Sequence, residues 1–529
     1  MSTKNNMFKN SSQHKQIQRI VILGGGTAGW MTAAALSKLL PCEHFNITLV
    51  ESDHIATVGV GEATLPHLRF FNQRLGIDEA EFMRATQATF KTGIEFANWG
   101  NKGEAYIHPF GDYGKPIDGI NFYHYWLKQK KAGDKTSLDE YSFPVMASLA
   151  GKFDFPDNDL SKVQSTFSYA YHIDAGLYAK FLRSFSEKLG VKRTEGKVVD
   201  VIKRASNNDI EMLVMDDGTR IEGDFFVDCS GFRGQLIEQT LDSGFEDWSH
   251  WLPCNSAIAI ATEQIESPLP YTKAIAHDAG WQWRIPLQHR VGNGYVYCDK
   301  YIDKQRALDT LEQNLLGSPL TEPNFLSFKT GRRKQAWKNN CLAIGLSSGF
   351  LEPLESTSIY LVQSAIMKLV ELIPQAQNMM IKAKEYNRGL DMEMERIRDF
   401  LILHYHVTQR NDSAFWKYCR TMDIPESLKE KMDMFKHTGH IQSYKYGLFL
   451  EPSWLAVYIG QGFVPSHYDG RIDLKDPAIY LNQMQEVKSS ISSVVPNMPM
   501  HLKAIKDFCS IGGRVNDSIV QMSLYGMKV

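Results

Sequence analysis

The sequence predicts an α/β protein, and three features predict it. The apolar run Ile20-Val21-Ile22-Leu23 leads into a glycine turn, Gly24-x-Gly26-x-x-Gly29, and then an Ala-rich helical stretch over residues 30–40. A second apolar run, Ile47-Thr48-Leu49-Val50, ends on Glu51. Residues 255–300 alternate apolar and aromatic positions, as an added antiparallel sheet would, and after about residue 385 the sequence turns charged and helix-favouring.

The first of these segments is a complete strand–turn–helix–strand–acid unit of the Rossmann type. Pro41 and Cys42 break its helix. The first glycine permits the tight turn, the second lets backbone approach a pyrophosphate, and the third lets helix and strand pack closely. The helix N-terminus then faces the phosphates. Gly24, Gly26, Thr27, Ala28 and Gly29 are therefore candidates to hold a dinucleotide, with Glu51 accepting its ribose hydroxyls. The plain alternative is a structural glycine turn. The fingerprint does not separate FAD from NAD, and the absence of a second GxGxxG predicts one dinucleotide site.

The rest of the chain divides into a tail, residues 1–16, a main module, residues 17–385, and a mostly helical C-terminal cap, residues 386–529. The tail is polar and amide-rich and lacks the apolar stretch of a signal peptide. After the glycine-rich loop Val58-Gly59-Val60-Gly61-Glu62-Ala63-Thr64, helices are predicted through Trp99. A helical pattern over 176–189 and strands joined by an Asp217-Gly218 hairpin turn follow. The acid-bounded strand ending in Asp228-Cys229-Ser230-Gly231 is of a kind found near the cofactor in flavin monooxygenases. Cys341-Leu342-Ala343-Ile344 reads as a strand before a helix over about 357–372.

Composition narrows the class further. The 529 residues are 43% hydrophobic and 22% charged, with a net charge of -2. That balance gives no reason to expect nucleic acid or an anionic membrane as partner. Seven scattered cysteines, without a CxxC pair or metal-ligand spacing, predict reduced thiols in a cytoplasmic protein and no metal site. No apolar run approaches the length of a membrane span.

One segment is more specific. Gly280-Trp281-Gln282-Trp283-Arg284-Ile285-Pro286 matches the WxWxIP signature of flavin-dependent tryptophan halogenases. Gly59–Thr64, Thr89-Phe90-Lys91, Asn98-Trp99, His108-Pro109-Phe110, Asp228–Arg233, Gly292–Tyr295 and Phe350-Leu351-Glu352-Pro353-Leu354-Glu355-Ser356-Thr357 also resemble segments of that family. The resemblance runs in order over residues 20–365 and weakens beyond 400.

The resemblance implies an FADH2-dependent halogenase. Reduced FAD, supplied by a separate flavin reductase, would combine with O2 and halide to give hypohalous acid. That acid would cross an internal tunnel to a small aromatic substrate, such as an indole. Lys91 would meet it, as hydrogen-bond donor or haloamine, and Glu355 would position the halogen or take the arene proton. Such residue types suit the chemistry, because an ammonium makes hypohalous halogen more electrophilic and a carboxylate stabilises a cationic arene. The resemblance further implies that backbone amides of Thr357 and Ser358 seat chloride or bromide. His108 and Phe110 would stack on the substrate, with Trp454, near Tyr444, Tyr446 and Glu451, contributed by the cap. The family usually has glycine where this chain has Ser358. If that position required φ > 0, serine would strain the halide seat and favour bromide over chloride; in the opposing reading its hydroxyl donates one more hydrogen bond to the anion and leaves chloride use intact.

Each residue has an ordinary alternative. Lys91 on a helix would be a solvated charge, Glu355 a helix-dipole partner, His108 a satisfied histidine, and the two tryptophans plain packing. Two rival functions remain at this point: a flavin monooxygenase that hydroxylates an aromatic substrate, and a non-catalytic FAD-binding protein. The oligomeric state is open, with a homodimer as the expectation to test.

Overall fold

The computed structural model describes residues 17–41, 43–53, 61–375, 378–442, 444 and 447–510. The predicted tail, Cys42, Val58–Val60 of the glycine-rich loop and Tyr446 lie outside them.

The Rossmann unit is present. Arg19–Leu23 is the central strand of a six-stranded sheet, pairing in parallel with Asn46–Glu51 on one side and Phe225–Asp228 on the other. Cys341–Ala343 and Lys192–Glu195 extend the parallel order, and Trp337–Lys338 closes one edge antiparallel. The inner strands Arg19–Leu23, Phe225–Asp228 and Cys341–Ala343 are short, mainly apolar runs because both sheet faces are covered there, whereas the edge strand Lys192–Glu195 is polar. The helix Thr27–Leu39 is buried on every side from Gly29 to Leu36, and the small Ala33, Ala34 and Ala35 let it lie close to its neighbours.

A seven-stranded sheet stands beside this unit. Its middle is an antiparallel run of Ser256–Thr262, Val291–Tyr297, Gly280–Pro286 and Tyr271–His277. Gly93–Ala97 joins it in parallel and pairs with Ala105–Pro109.

The helices expected through Trp99 stop earlier. Helices His67–Leu75 and Glu79–Thr86 are followed by strands Thr89–Lys91 and Gly93–Ala97. Gln87, at φ 52, ends the second helix, and the β-branched and aromatic residues after it enter sheet ladders instead. Lys91 therefore sits on a strand paired with Ala170–Asp174, not on a helix.

The C-terminal region is mainly helical: Met379–His406, Ala414–Thr421, Glu426–Thr438, Glu451–Gly460, Pro477–Val494 and His501–Ser510. The first of these runs through residue 386. Among the described residues no helix is long and apolar enough to cross a membrane, and the six described cysteines are free.

Candidate active site

A cavity of about 650 Å³ opens between the parallel sheet, the antiparallel sheet and the helix Thr357–Glu371. That volume falls within the range of cofactor pockets. The glycine turn lines one part of it, and Trp281, Trp283, Ser356 and Ser358 line another.

The three fingerprint glycines have three different surroundings. Gly24 has φ +117, and a Cβ there would lie 2.3 Å from the Cys229 carbonyl oxygen. A Cβ on Gly29 would lie 1.8 Å from the Gly24 carbonyl oxygen. A Cβ on Gly26 meets no protein atom within 4 Å, because Gly26 faces the cavity. The turn thus presents bare backbone to open space at the start of a helix, which fits a pyrophosphate. Thr27, Ala28 and Glu51 line the same part. Glu51 receives Arg193 Nε at 2.6 Å and is approached by Trp30 Nε1 at 3.4 Å, which leaves lone pairs for ribose hydroxyls.

Lys91 is fully buried, contrary to a solvated charge. Its Nζ donates to Ser356 Oγ at 2.7 Å and Thr64 O at 3.1 Å, and lies 4.9 Å from the centre of the Phe110 ring. Burial pushes its pKa down to about 7, against the pull of Glu355. Ser356 lines the cavity, whereas Lys91 and Glu355 are not among its walls. The turn Pro353–Glu355 with Ser356 therefore lies between the cavity and Lys91.

In that turn Glu355 is also fully buried. Both its oxygens lie 2.9 Å from His108 Nδ1, and Oε1 lies 2.8 Å from His404 Nε2. The His404 contact is off hydrogen-bond direction. Burial raises the carboxyl, but the two histidines outweigh it and hold its pKa at about 2. His108 is fixed at its other end by Ser453 Oγ, 2.6 Å from Nε2.

The structure brings Lys91, Glu355, His108 and Phe110 together. Trp454 reaches them through Phe400, which lies 5.2 Å from its ring and 5.8 Å from that of His108. Tyr444 stacks instead under Arg396 and Lys431, and Glu451 receives Asn121.

Thr357 and Ser358 open the 15-residue helix Thr357–Glu371. Its first amides have no intrahelical acceptor, which suits an anion. Ser358 is not among the residues of positive φ; Ser356, at φ 59, is. The strain expected at Ser358 is absent because a helical position accommodates a Cβ without cost, and the argument for bromide over chloride loses its basis.

His404, Ser453 and Ser356 were not singled out from sequence. Ser356 stood inside a family segment, but His404 lies in an apolar helical stretch with nothing to mark it. Glu62 also lines the cavity, and burial raises its pKa to about 7.

A family model described as tryptophan halogenase matches residues 19–477. The chain belongs to the tryptophan halogenase family. The tryptophan 6-halogenase SttH of Streptomyces toxytricini is 36% identical over 94% of this chain and 99% of its own. Among solved structures, the flavin-dependent halogenase Xcc4156 from Xanthomonas campestris is 47% identical, with a TM-score of 0.90 over 94% of this chain and 100% of its own. BrvH, a flavin-dependent halogenase from Brevundimonas sp. BAL3, is 45% identical, with a TM-score of 0.90 over 93% and 99%. The protein is an FADH2-dependent halogenase of α/β fold. Enzymes of this family use an aromatic substrate and a separate flavin reductase.

Proposed function

We propose that the enzyme halogenates an indole-type arene with hypohalous acid that Lys91 receives across the Ser356 turn. The observation that carries this reading is the 2.7 Å bond between Lys91 Nζ and Ser356 Oγ, with Ser356 lining the cavity and Lys91 behind it.

Gly24, Gly26, Thr27, Ala28, Gly29 and Glu51 would hold FAD, and the open space at Gly26 supports that fit. When bound, reduced FAD supplies the two electrons that let O2 oxidise halide to hypohalous acid. The amides of Thr357 and Ser358 would seat the halide. The Lys91 ammonium donates a hydrogen bond to the hypohalous oxygen and so draws electron density from the halogen. The arene carbon forms its bond to halogen as the oxygen–halogen bond breaks. Lys91 returns a proton to the departing hydroxide, giving water. Glu355 stabilises the arene cation and takes the proton from the substituted carbon. His108 and Phe110 form aromatic walls for the substrate, Trp454 supports them from behind, and the C-terminal helices act as the cap.

A cytoplasmic location and a homodimer belong to the same proposal; sedimentation velocity tests the second. The deciding test supplies reduced FAD, O2, bromide or chloride, and indole, and reads the product by mass spectrometry. The halogenase reading expects a halogen isotope pattern. A gain of one oxygen, without halogen, is the monooxygenase outcome and overturns it.

A further inference from the structure

The turn that carries Glu355 and Ser356 holds a second buried carboxylate that the reaction above does not use. Glu352 is fully buried and precedes Pro353, the first residue of that turn. Its Oε2 accepts Trp281 Nε1 at 3.0 Å and also the Tyr405 hydroxyl, while Oε1 has no partner. A buried carboxyl with an unsatisfied oxygen is costly to keep, so its retention needs an explanation.

The two donors come from different parts of the molecule. Trp281 is the first tryptophan of the WxWxIP segment, on the strand Gly280–Pro286, and one of the cavity walls. Tyr405 belongs to the long helix Met379–His406. Its neighbour in sequence, His404, is the residue that faces Glu355. Consecutive residues of one helix thus grip the two carboxylates at either end of one turn. Trp99 packs against the same group, with ring centres 5.3 Å from Tyr405 and 6.4 Å from Trp281.

Only Pro353 and Leu354 separate Glu352 from Glu355. Pro353 fixes its own φ, Leu354 is buried, and Ser356 follows at φ 59 with its amide on Pro353 O at 3.0 Å. This stretch has little freedom, so a displacement of Glu352 is passed to Glu355 and Ser356. We propose that Trp281, Glu352 and Tyr405 are positioning residues that hold Glu355 and Ser356 in register with Lys91. The tryptophan of the sequence signature then has a task beyond lining the cavity: its indole N–H anchors the turn that separates the cavity from Lys91.

This inference rests on the proposed roles of Lys91 and Glu355, and its test keeps the two apart. Full-length parent, Trp281→Phe, Tyr405→Phe, Glu352→Gln, Glu352→Leu and Lys91→Ala are compared with bromide and indole as probes. Three quantities are read: FAD affinity, the rate of reduced-flavin oxidation, and bromoindole formed per flavin oxidised. Leaked hypobromous acid is caught by a scavenger. A misplacement of under an ångström suffices for a loss of about tenfold. The expected result is that product per flavin falls about tenfold in Trp281→Phe, Tyr405→Phe and Glu352→Leu, with scavenged oxidant rising in step. FAD affinity and flavin oxidation stay at the parent level in Tyr405→Phe and Glu352→Leu, whose residues do not line the cavity. Glu352→Gln, which still accepts from both donors, retains most of the yield. If Glu352→Leu does not fold, Tyr405→Phe decides the matter, since it removes one donor, keeps the ring and lies outside the cavity wall. Parent-like yield in Tyr405→Phe beside an inactive Lys91→Ala overturns the inference alone. A loss of yield matched by an equal loss of FAD affinity overturns it too, because the effect then lies in the cavity wall. Bromoindole from Lys91→Ala at the parent level overturns the reading of the site and this inference with it.

Discussion

His404 Nε2 stands 2.8 Å from Glu355 Oε1 while its Nδ1 faces the Phe400 carbonyl at 2.8 Å. A ring nitrogen against a carbonyl must hold a proton. Nε2 is therefore the ring nitrogen left to face Glu355, at a contact outside hydrogen-bond direction. Glu355→Gln keeps the shape and removes the charge. Turnover should fall on the order of 10²- to 10³-fold, as when an oriented electrostatic partner is lost. FAD affinity should not change. A parent-like turnover in the folded variant contradicts the role.

The same carboxylate makes a stability prediction with a definite sign. Its pKa is held at about 2 when folded, below the ordinary 4.5. Between those values the unfolded chain binds a proton and the folded one does not, so stability rises with pH there. The contribution is present above about pH 4.5 and is lost as pH falls toward 2. The unfolding free-energy gap between parent and Glu355→Gln should shrink by about 2 kcal/mol from pH 5 to pH 3. Urea titrations at both pH values measure it, and a constant gap contradicts the assignment.

Lys91 should make product yield fall with rising pH. Its pKa is lowered to about 7 by burial, so the ammonium predominates below that value and the amine above it. If the ammonium donates to hypohalous acid, product per flavin oxidised falls as pH rises through about 7. The rate of flavin oxidation serves as the internal control. A yield that climbs with pH favours attack by the free amine, as in a haloamine, and contradicts the donor role.

The glycine turn separates binding from folding. Gly26→Val points into open space, so the apo protein should melt as the parent does, while FAD affinity weakens by about 10- to 100-fold, or 1.4–2.8 kcal/mol. Gly29→Ala drives a Cβ against the Gly24 carbonyl and should destabilise the apo protein by about 1–3 kcal/mol. Fluorescence titration and thermal melts distinguish them. Parent-like FAD affinity in Gly26→Val contradicts the placement of the pyrophosphate.

Ser358→Gly should leave the ratio of chlorinated to brominated product within about twofold of the parent. Ser358 is helical and unstrained, so the substitution relieves nothing. It costs about 1 kcal/mol or less of helix stability. Equal-halide competition assays read the ratio, and a strong shift toward chloride in the glycine variant contradicts this.

Much of the fold was legible because its signals are local. The βαβ unit announces itself by period, turn glycines and a terminal acid, and the Asp217-Gly218 hairpin by its turn chemistry. The strand carrying Lys91 was not legible. Three residues, Thr89–Lys91, are too few to show a period of two, and their pairing partner lies some eighty residues away at Ala170–Asp174. Site residues quoted in family segments, such as Lys91 and Glu355, could be named from their neighbours. His404 could not, since only tertiary packing turns one histidine of an apolar helical turn toward Glu355. Ser358 misled for a related reason: a positive φ cannot be assigned to one residue of Ser356-Thr357-Ser358 without knowing where the helix begins.

Lys91 acts on hypohalous acid that has already formed, across the Ser356 turn from the cavity, if the proposed reaction holds. Lys91→Ala in single-turnover assays with reduced FAD, O2, bromide and indole tests it most directly. The variant should show parent-like FAD affinity and flavin oxidation, no bromoindole, and full recovery of hypobromous acid by a scavenger. Bromoindole at the parent yield with the scavenger present, or loss of flavin oxidation itself, contradicts it.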